Sequence, residues 1–232
     1  MQILALDAST EMCTVALGGE AGFVERAEHA GQRHSELLLP MIQALLADAG
    51  ATLRELDGIA FGSGPGSFTG LRIACGVAQG LAFGASLPVV GVPTLAAMAE
   101  VARAGGHGRR IYAALDARMR EAYVAAYEHD GDAWHERVAP AVVPAEDAPR
   151  PPGSDWYGVG PGFASYPALR TRLAGALATC DPTLMPSATA IGRLALPRLA
   201  AGEGVAAADA APLYVRHRVA LTTAERAAGS TL

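Results

Sequence analysis

The chain has 232 residues, of which 51% are hydrophobic and 18% are charged, and its formal net charge is −5. This length and composition exclude a disordered chain and a small domain that depends on disulfides or metals, because a chain of this size can bury a core of its own. The negative charge argues against tight, direct binding of a nucleic-acid backbone. The three cysteines, Cys13, Cys75 and Cys180, are too far apart in sequence to indicate a disulfide framework or a zinc site.

The first residues of the sequence and one long apolar stretch indicate where in the cell the protein is located. No basic segment precedes the apolar run at residues 3–6, so we expect a cytoplasmic protein rather than a secreted one. Residues 73–92 are apolar over a length that could cross a bilayer, but Pro88 would break a continuous helix. We therefore predict a helix, a turn and a buried strand in that stretch, and no membrane contact.

The first half begins with three predicted short strands, at 1–7, 14–17 and 23–27, separated by glycine-containing turns. A leucine-rich stripe then predicts an amphipathic helix over 35–46, with Ser35 as its N-cap. Pro40 lies inside this pattern and marks either the true start of the helix or a kink. A strand at 57–63, a helix at 68–85, a strand at 88–92 and a helix at 94–103 follow.

The second half repeats the three strands, at 110–116, 122–127 and 133–138, and is poorer in helix. The five prolines of residues 140–152 predict an irregular connection. Helices are predicted at 169–178 and 189–199, the latter disturbed by a proline. The end, from 213 to 219, is predicted to be extended, and the tail beyond residue 221 to fray.

Two features occur once in each half. The tetrapeptide Ala-Leu-Asp-Ala is found at residues 5–8 and at 114–117, and Gly-x-Gly-Pro-Gly at 62–66 and 158–162. Three strands, a helix, a strand and a helix form the repeating unit of the actin-like superfamily. We therefore predict an α/β, duplicated actin-like fold (ASKHA, ribonuclease H-like) with lobes at 1–105 and 106–232. Each lobe should hold a mixed sheet with flanking helices, and the second lobe should be helix-poor.

The glycine-rich segment at 62–72 could cradle a phosphate at a helix N-terminus. Its glycines fit neither the P-loop spacing nor the dinucleotide-binding spacing. The favoured interpretation is a tight turn feeding a helix that Ser67 or Thr69 caps.

Within the following helix Gly76, Gly80 and Gly84 recur every four residues and share one face. Interior glycines cost a helix about 1 kcal/mol each relative to alanine, so close approach of another element should compensate. Two interpretations stay open from the spacing alone: the face packs on the chain's own sheet, or it packs on another subunit.

Asp7 ends the first strand and is followed by Ser9 and Thr10, where actin-like enzymes hold a phosphate and its metal. Here Ala8 replaces the glycine common in that loop. Asp7, Ser9 and Thr10 are therefore candidate cofactor-binding residues in a weakened, vestigial site. No catalytic set is identifiable.

Among the histidines, His34 alone has a suggestive position, just ahead of the first amphipathic helix. A helical metal pair needs a second ligand four residues on, and that residue is Leu38. No metal site is predicted.

Several segments resemble the TsaB (YeaZ) family. They are His-Ser-Glu-Leu-Leu-Leu-Pro-Met-Ile at 34–42, Gly-Pro-Gly-Ser-Phe-Thr-Gly-Leu-Arg-Ile at 64–73, Gln-Gly-Leu-Ala at 79–82, Val-Pro-Thr-Leu at 92–95, Asp-Ala-Arg-Met-Arg-Glu-Ala-Tyr at 116–123 and Pro-Leu-Tyr-Val-Arg at 212–216. The Gly-Pro-Gly-Ser-Phe-Thr-Gly block is the most specific of them. The resemblance covers nearly the whole chain.

The resemblance implies a non-catalytic partner subunit of TsaD, joined by the ATPase TsaE, in threonylcarbamoylation of the adenosine beside the tRNA anticodon. It implies no cofactor, with ATP or ADP only at the partner interface, tRNA contact only through the complex, and a homodimer when the chain is alone. It also favours the intersubunit interpretation of the glycine face. The implied partner interface consists of His34, Leu37, Leu38, Met41, Leu45, Thr69, Arg72, Ile73, Gly76, Gly80 and Gly84.

Two enzymatic alternatives belong to the same fold. An ATP-dependent kinase-like enzyme would use Asp7, Ser9, Thr10 and the glycine loops. A metallopeptidase-like activity of the glycoprotease type would need a bound metal.

Overall fold

The computed structural model describes residues 1–216, in which ten strands form two five-stranded sheets. The strands are β1 (Gln2–Asp7), β2 (Met12–Gly19), β3 (Gly22–His29), β4 (Gly58–Gly64), β5 (Val89–Pro93), β6 (Arg110–Asp116), β7 (Glu121–His129), β8 (Trp134–Pro144), β9 (Trp156–Val159) and β10 (Leu177–Asp181). The helices are α1 (His34–Asp48), α2 (Phe68–Ala85), α3 (Thr94–Ala104), α4 (Gly162–Ser165), α5 (Ala168–Arg172) and α6 (Ala188–Ala200).

The two sheets have the same topology. The first has the order β3-β2-β1-β4-β5, and the second, taken from the other edge, has the order β8-β7-β6-β9-β10. In each, the first strand of the half pairs antiparallel with the second and parallel with the fourth. The predicted duplicated actin-like fold is confirmed. Its repeated tetrapeptide places Asp7 and Asp116 at the same position, the ends of β1 and β6.

Helices cover both faces of each sheet and fill the space between the sheets. One core lies between the first sheet and α1 and α2, and a second lies between that sheet and α6. On the second sheet, α3 packs on one face and the short helices α4 and α5 pack on the other. The molecule therefore has five layers, with α3 and α6 in contact in the central one.

The central layer exchanges helices between the halves of the chain. Helix α3 comes from the first half and packs on β6 and β7 of the second sheet, whereas α6 comes from the second half and packs on β1, β2, β4 and β5. The predicted boundary between residues 105 and 106 separates the strands of the two sheets. It does not separate the packing units, because each half supplies a helix to the sheet of the other.

The structure corrects three local predictions. Helix α1 begins at His34 with Arg33 at the cap position, so Ser35 is not its N-cap, and Pro40 lies within the helix. Strand β8 continues to Pro144 because it pairs with β7, so the predicted irregular segment starts later. The predicted helix at 169–178 ends at Arg172, residues 173–176 form a turn, and residues 177–178 begin β10 beside β9.

None of the helices within residues 1–216 combines the length and the apolar composition that crossing a bilayer requires. Residues 217–219 of the predicted extended end, and the tail predicted to fray, lie outside the described residues.

Candidate functional site

One face of α2 is open to solvent along its whole length. The face runs through Arg72, Gly76, Gly80 and Gly84, which lie four residues apart and are all exposed. A Cβ atom added to any of the three glycines would meet no atom of the described residues within 4 Å. The opposite face carries Ala74, Ala78 and Ala82, which are fully buried against the first sheet. Within residues 1–216 the glycines therefore do not serve packing, and the interpretation that they pack on the chain's own sheet is wrong.

Two exposed aromatic side chains flank the glycine face. Phe83 lies next to Gly84 and is 83% exposed, and Phe68 at the start of α2 is 51% exposed. Neither residue was among the predicted interface residues. Phe83 follows Gly80 by three positions, so the helical period places both on neighbouring parts of one face, and this spacing was a usable signal.

The glycines of the preceding loop have a different role. A Cβ on Gly62 would overlap the carboxylate of Asp7, one on Gly66 the carbonyl oxygen of Ser9, and one on Gly70 the carbonyl oxygen of Ala8. Each glycine therefore lets the segment from β4 to α2 lie directly against residues 7–9. The hydroxyl of Ser67 accepts a hydrogen bond from the Gly70 N–H at 3.3 Å, so of the two predicted candidates Ser67, and not Thr69, caps α2.

Asp7 is enclosed by that contact. Its side chain is fully buried, the hydroxyl of Ser9 donates to Oδ2 at 2.9 Å, and no described residue donates to Oδ1. Burial raises the pKa of Asp7 to about 7, against the smaller lowering effect of the Ser9 hydrogen bonds. The carboxylate does not line the cleft between the lobes.

A cleft of about 580 Å³ separates the ends of β1 and β6. Ser9 and Thr10 line it from the first lobe, and Asp116 and Arg118 line it from the second. Arg118 pairs with the carboxylate of Asp116 at 3.2 Å, and Tyr166 donates to the same carboxylate at 2.7 Å. Asp116 and Arg118 of the second-lobe wall thus already pair with each other.

His34 stabilises the fold at the edge of this cleft. Its Nε2 lies 2.9 Å from the carbonyl oxygen of Thr10, an acceptor, so Nε2 carries the proton and donates it. The side chain is buried and joins the first turn of α1 to the loop between β1 and β2. Within residues 1–216, no group of three or more His, Cys, Asp or Glu side chains is placed to hold a metal ion.

The predicted interface divides into buried and accessible residues. His34, Leu38, Met41 and Leu45 are buried in this chain's own structure, the three apolar ones in the core between α1 and the first sheet. The amphipathic stripe of α1 faces inward, so these four residues cannot contact a partner while the helix stays in place. The predicted residues that remain accessible or half-buried are Leu37, Thr69, Arg72, Ile73, Gly76, Gly80 and Gly84.

Comparison with known proteins identifies relatives whose names and extents of similarity agree with one another. A family model described as "TsaD: tRNA N6-adenosine threonylcarbamoyltransferase" matches residues 23–208. The Escherichia coli K12 protein "tRNA threonylcarbamoyladenosine biosynthesis protein TsaB" is 38% identical over 224 residues, covering 95% of this chain and 96% of that protein. The Haemophilus influenzae protein of the same name is 36% identical, covering 94% and 95% respectively.

Two solved structures from Pseudomonas aeruginosa share the fold along almost the whole chain. "YeaZ from Pseudomonas aeruginosa" is 40% identical with a TM-score of 0.84, covering 92% of this chain and 99% of that one. A second, described as an uncharacterized protein with similarity to peptidase YEAZ, is 40% identical with a TM-score of 0.86, covering 93% and 99%. On the identity and coverage of these relatives, the chain belongs to the TsaB (YeaZ) family.

Proposed function

We propose that this protein is a cytoplasmic, non-catalytic partner subunit in the biosynthesis of tRNA threonylcarbamoyladenosine. Its partner is a protein of the TsaD type, which carries out the transfer, and TsaE joins the pair. The chain itself holds no cofactor, any ATP or ADP contact lies at the partner interface, and tRNA contacts the chain only through the complex. In the absence of its partner the chain pairs with a second copy of itself.

The observation that carries this proposal is the open glycine face of α2. Interior glycines cost helix stability, and the empty space beside Gly76, Gly80 and Gly84 means that nothing in the described chain compensates for this cost. Small residues let two backbones approach closely, and the aromatic rings of Phe68 and Phe83 at either end supply apolar area. A second subunit packed on this face accounts for both features.

The state of the residues in the weakened cofactor site supports the non-catalytic role. Asp7 is buried and held by Ser9, and Nε2 of His34 donates to the carbonyl of Thr10. The Asp7 carboxyl and the His34 ring are thus engaged by neighbouring groups of this chain, which supports the proposal that the chain itself holds no phosphate or metal there. Titration calorimetry of the isolated chain with Mg-ATP tests the kinase alternative, and metal analysis of the purified chain tests the peptidase alternative. Tight nucleotide binding or a stoichiometric metal would contradict the proposal.

Replacing Gly80 with leucine should separate folding from pairing. The new side chain enters open space in the single chain, so Gly80→Leu should fold with a normal circular dichroism spectrum and an unchanged or higher melting temperature. The same side chain would hold the partner's backbone away from α2. We expect the variant to fail to co-purify with the TsaD-type protein of the same organism.

Thr171→Leu is the matched control, because Thr171 is an exposed residue of α5 on the second lobe. It should co-purify with the partner as the unmodified chain does. If Gly80→Leu bound the partner as tightly as the unmodified chain, the glycine face would not be the interface and the proposal would lose its main support.

A further inference from the structure

The start of α2 carries a preorganised group of three side chains from two distant segments. The guanidinium of Arg72 lies over the ring of Phe68, 3.9 Å from its centroid. Arg72 Nε also donates to the hydroxyl of Tyr214 at 3.2 Å, and the Phe68 and Tyr214 rings are 6.0 Å apart. An arginine held by stacking and by one hydrogen bond has lost much of its side-chain freedom, which lowers the entropy cost of binding through it.

Tyr214 reaches this position because the C-terminal segment crosses α2. The carbonyl of Ala210 accepts a hydrogen bond from the side chain of Gln79 at 2.9 Å, and Leu213 N–H donates to the carbonyl of Ser63 at 2.7 Å. These two bonds fix the segment on α2 and β4. The tyrosine is therefore part of the α2 surface, although it is 142 residues from Arg72 in sequence.

Arg72 stands alone as a charge on this surface. It is the only charged residue in α2, and it lies one helical turn before Gly76 on the open face. Among residues 1–216, no carboxylate lies within ion-pair distance of it. Its Nε bonds to Tyr214, and within residues 1–216 its two terminal nitrogens have no hydrogen-bond acceptor, so they can bind a carboxylate.

We propose that Arg72, fixed by Phe68 and Tyr214, binds a carboxylate of the partner subunit and makes the α2 surface selective for that partner over a second copy of this chain. This inference rests on the proposed function and specifies the chemistry of its partner. Aromatic and arginine side chains dominate the binding energy of protein interfaces, and an arginine–carboxylate pair at the edge of an apolar contact gives it orientation.

When two copies of this chain pair through α2, fewer carboxylates are available to bind Arg72. If two copies meet through α2, each Arg72 faces a helix that contains no aspartate or glutamate. Helix α1 has two exposed acidic residues, Glu36 and Asp48. Asp48 already pairs with Arg26, so Glu36 is the group that a second copy could offer to Arg72. The variant Glu36→Gln is therefore included in the test, because Glu36 is the carboxylate of a second copy that could bind Arg72.

The test measures both associations for the same variants. For Arg72→Gln we expect the dissociation constant with the TsaD-type protein, measured by titration calorimetry, to rise about tenfold or more, and its dependence on salt to weaken. Self-association, measured by analytical ultracentrifugation, should stay unchanged. Tyr214→Phe keeps the ring but loses the hydroxyl that positions Arg72, so it should weaken pairing by a smaller factor. Arg170→Gln removes an exposed arginine of α5 and should change neither association.

The outcomes separate this inference from the proposed function. If Arg72→Gln binds the partner as tightly as the unmodified chain while Gly80→Leu does not bind, the α2 surface is the interface. The proposed pairing of Arg72 with a carboxylate of the partner is then wrong. If Gly80→Leu also binds normally, the proposed interface itself is wrong. If Arg72→Gln and Glu36→Gln both weaken self-association, Arg72 pairs with a second copy, and the selectivity is overturned.

Discussion

Asp7 shows what a residue pattern reveals about a site and what it leaves out. The repeated Ala-Leu-Asp-Ala motif correctly places aspartates at the ends of β1 and β6, since both are read from local sequence. Their environments differ, because Asp7 is buried and Asp116 is half-exposed and paired with Arg118. That difference depends on Gly62, Gly66 and Gly70, which bring a distant segment onto residues 7–9. A contact between segments about sixty residues apart has no signature in either segment alone.

The buried carboxyl of Asp7 predicts an unusual pH dependence of stability. Its pKa rises from the unfolded value of 3.8 to about 7 in the fold because burial disfavours the charge. The folded chain therefore keeps a proton that the unfolded chain has lost between these values. The stability that neutral Asp7 contributes is complete below the unfolded pKa and is lost as pH rises through the folded pKa.

Asp7→Asn should remove this dependence. We expect the variant to be more stable than the unmodified chain by roughly 1–3 kcal/mol at about pH 8, and the difference to shrink or reverse at about pH 5. Urea unfolding followed by circular dichroism at both pH values measures it. Asp132→Asn, at an exposed turn, is the control and should show no such change. A stability difference between Asp7→Asn and the unmodified chain that is equal at both pH values would contradict the buried, neutral carboxyl.

Helix α2 uses glycine for two purposes along one element. Gly70 lies where a Cβ would overlap the backbone of Ala8, whereas Gly80 lies where a Cβ would meet open space. The four-residue spacing of Gly76, Gly80 and Gly84 identified the shared face from sequence. It could not show whether that face looks inward or outward, because alanines of similar size line the opposite side.

Substituting alanine at these two positions should change stability in opposite directions. Gly70→Ala should destabilise the chain by about 2 kcal/mol or more, because backbone atoms of the β1–β2 loop must move. Gly80→Ala should stabilise it by about 0.5–1 kcal/mol, since alanine favours the helix and meets no neighbour. Thermal unfolding of the two variants beside the unmodified chain gives both values. Equal losses at both positions would mean that the glycine face is packed within the chain.

Helix α1 shows the limit of an amphipathic pattern. The stripe of Leu38, Met41 and Leu45 was correctly predicted as helical, and the same stripe was assigned to the partner interface. A hydrophobic stripe identifies the buried face of a helix but does not say what buries it. Here the first sheet does, so Leu37 is the one α1 residue of the predicted interface that is not buried in this chain.

The architecture of the whole molecule followed from internal repetition. Matched motifs in the two halves predict two sheets of equal topology, because sequence repeats reflect repeated local structure. The exchange of α3 and α6 between the halves was not predictable in the same way. Each helix has an apolar face that would fit either sheet, so its assignment depends on connection lengths and on the packing of the completed central layer.

In the proposed function, this chain keeps the fold of an enzyme but contributes a binding surface to a TsaD-type partner. The surface combines α2 with the C-terminal segment that carries Tyr214. Neither the chain nor its partner should therefore complete the reaction when separated.

The most direct test is reconstitution of tRNA modification from purified components, with nucleosides analysed by mass spectrometry. With a TsaD-type protein, TsaE, unmodified tRNA and the threonylcarbamoyl donor, we predict threonylcarbamoyladenosine only when this chain is added, and little or none when Gly80→Leu replaces it. Formation of the modified nucleoside by the isolated chain, or equal formation when the chain is omitted, would contradict the account.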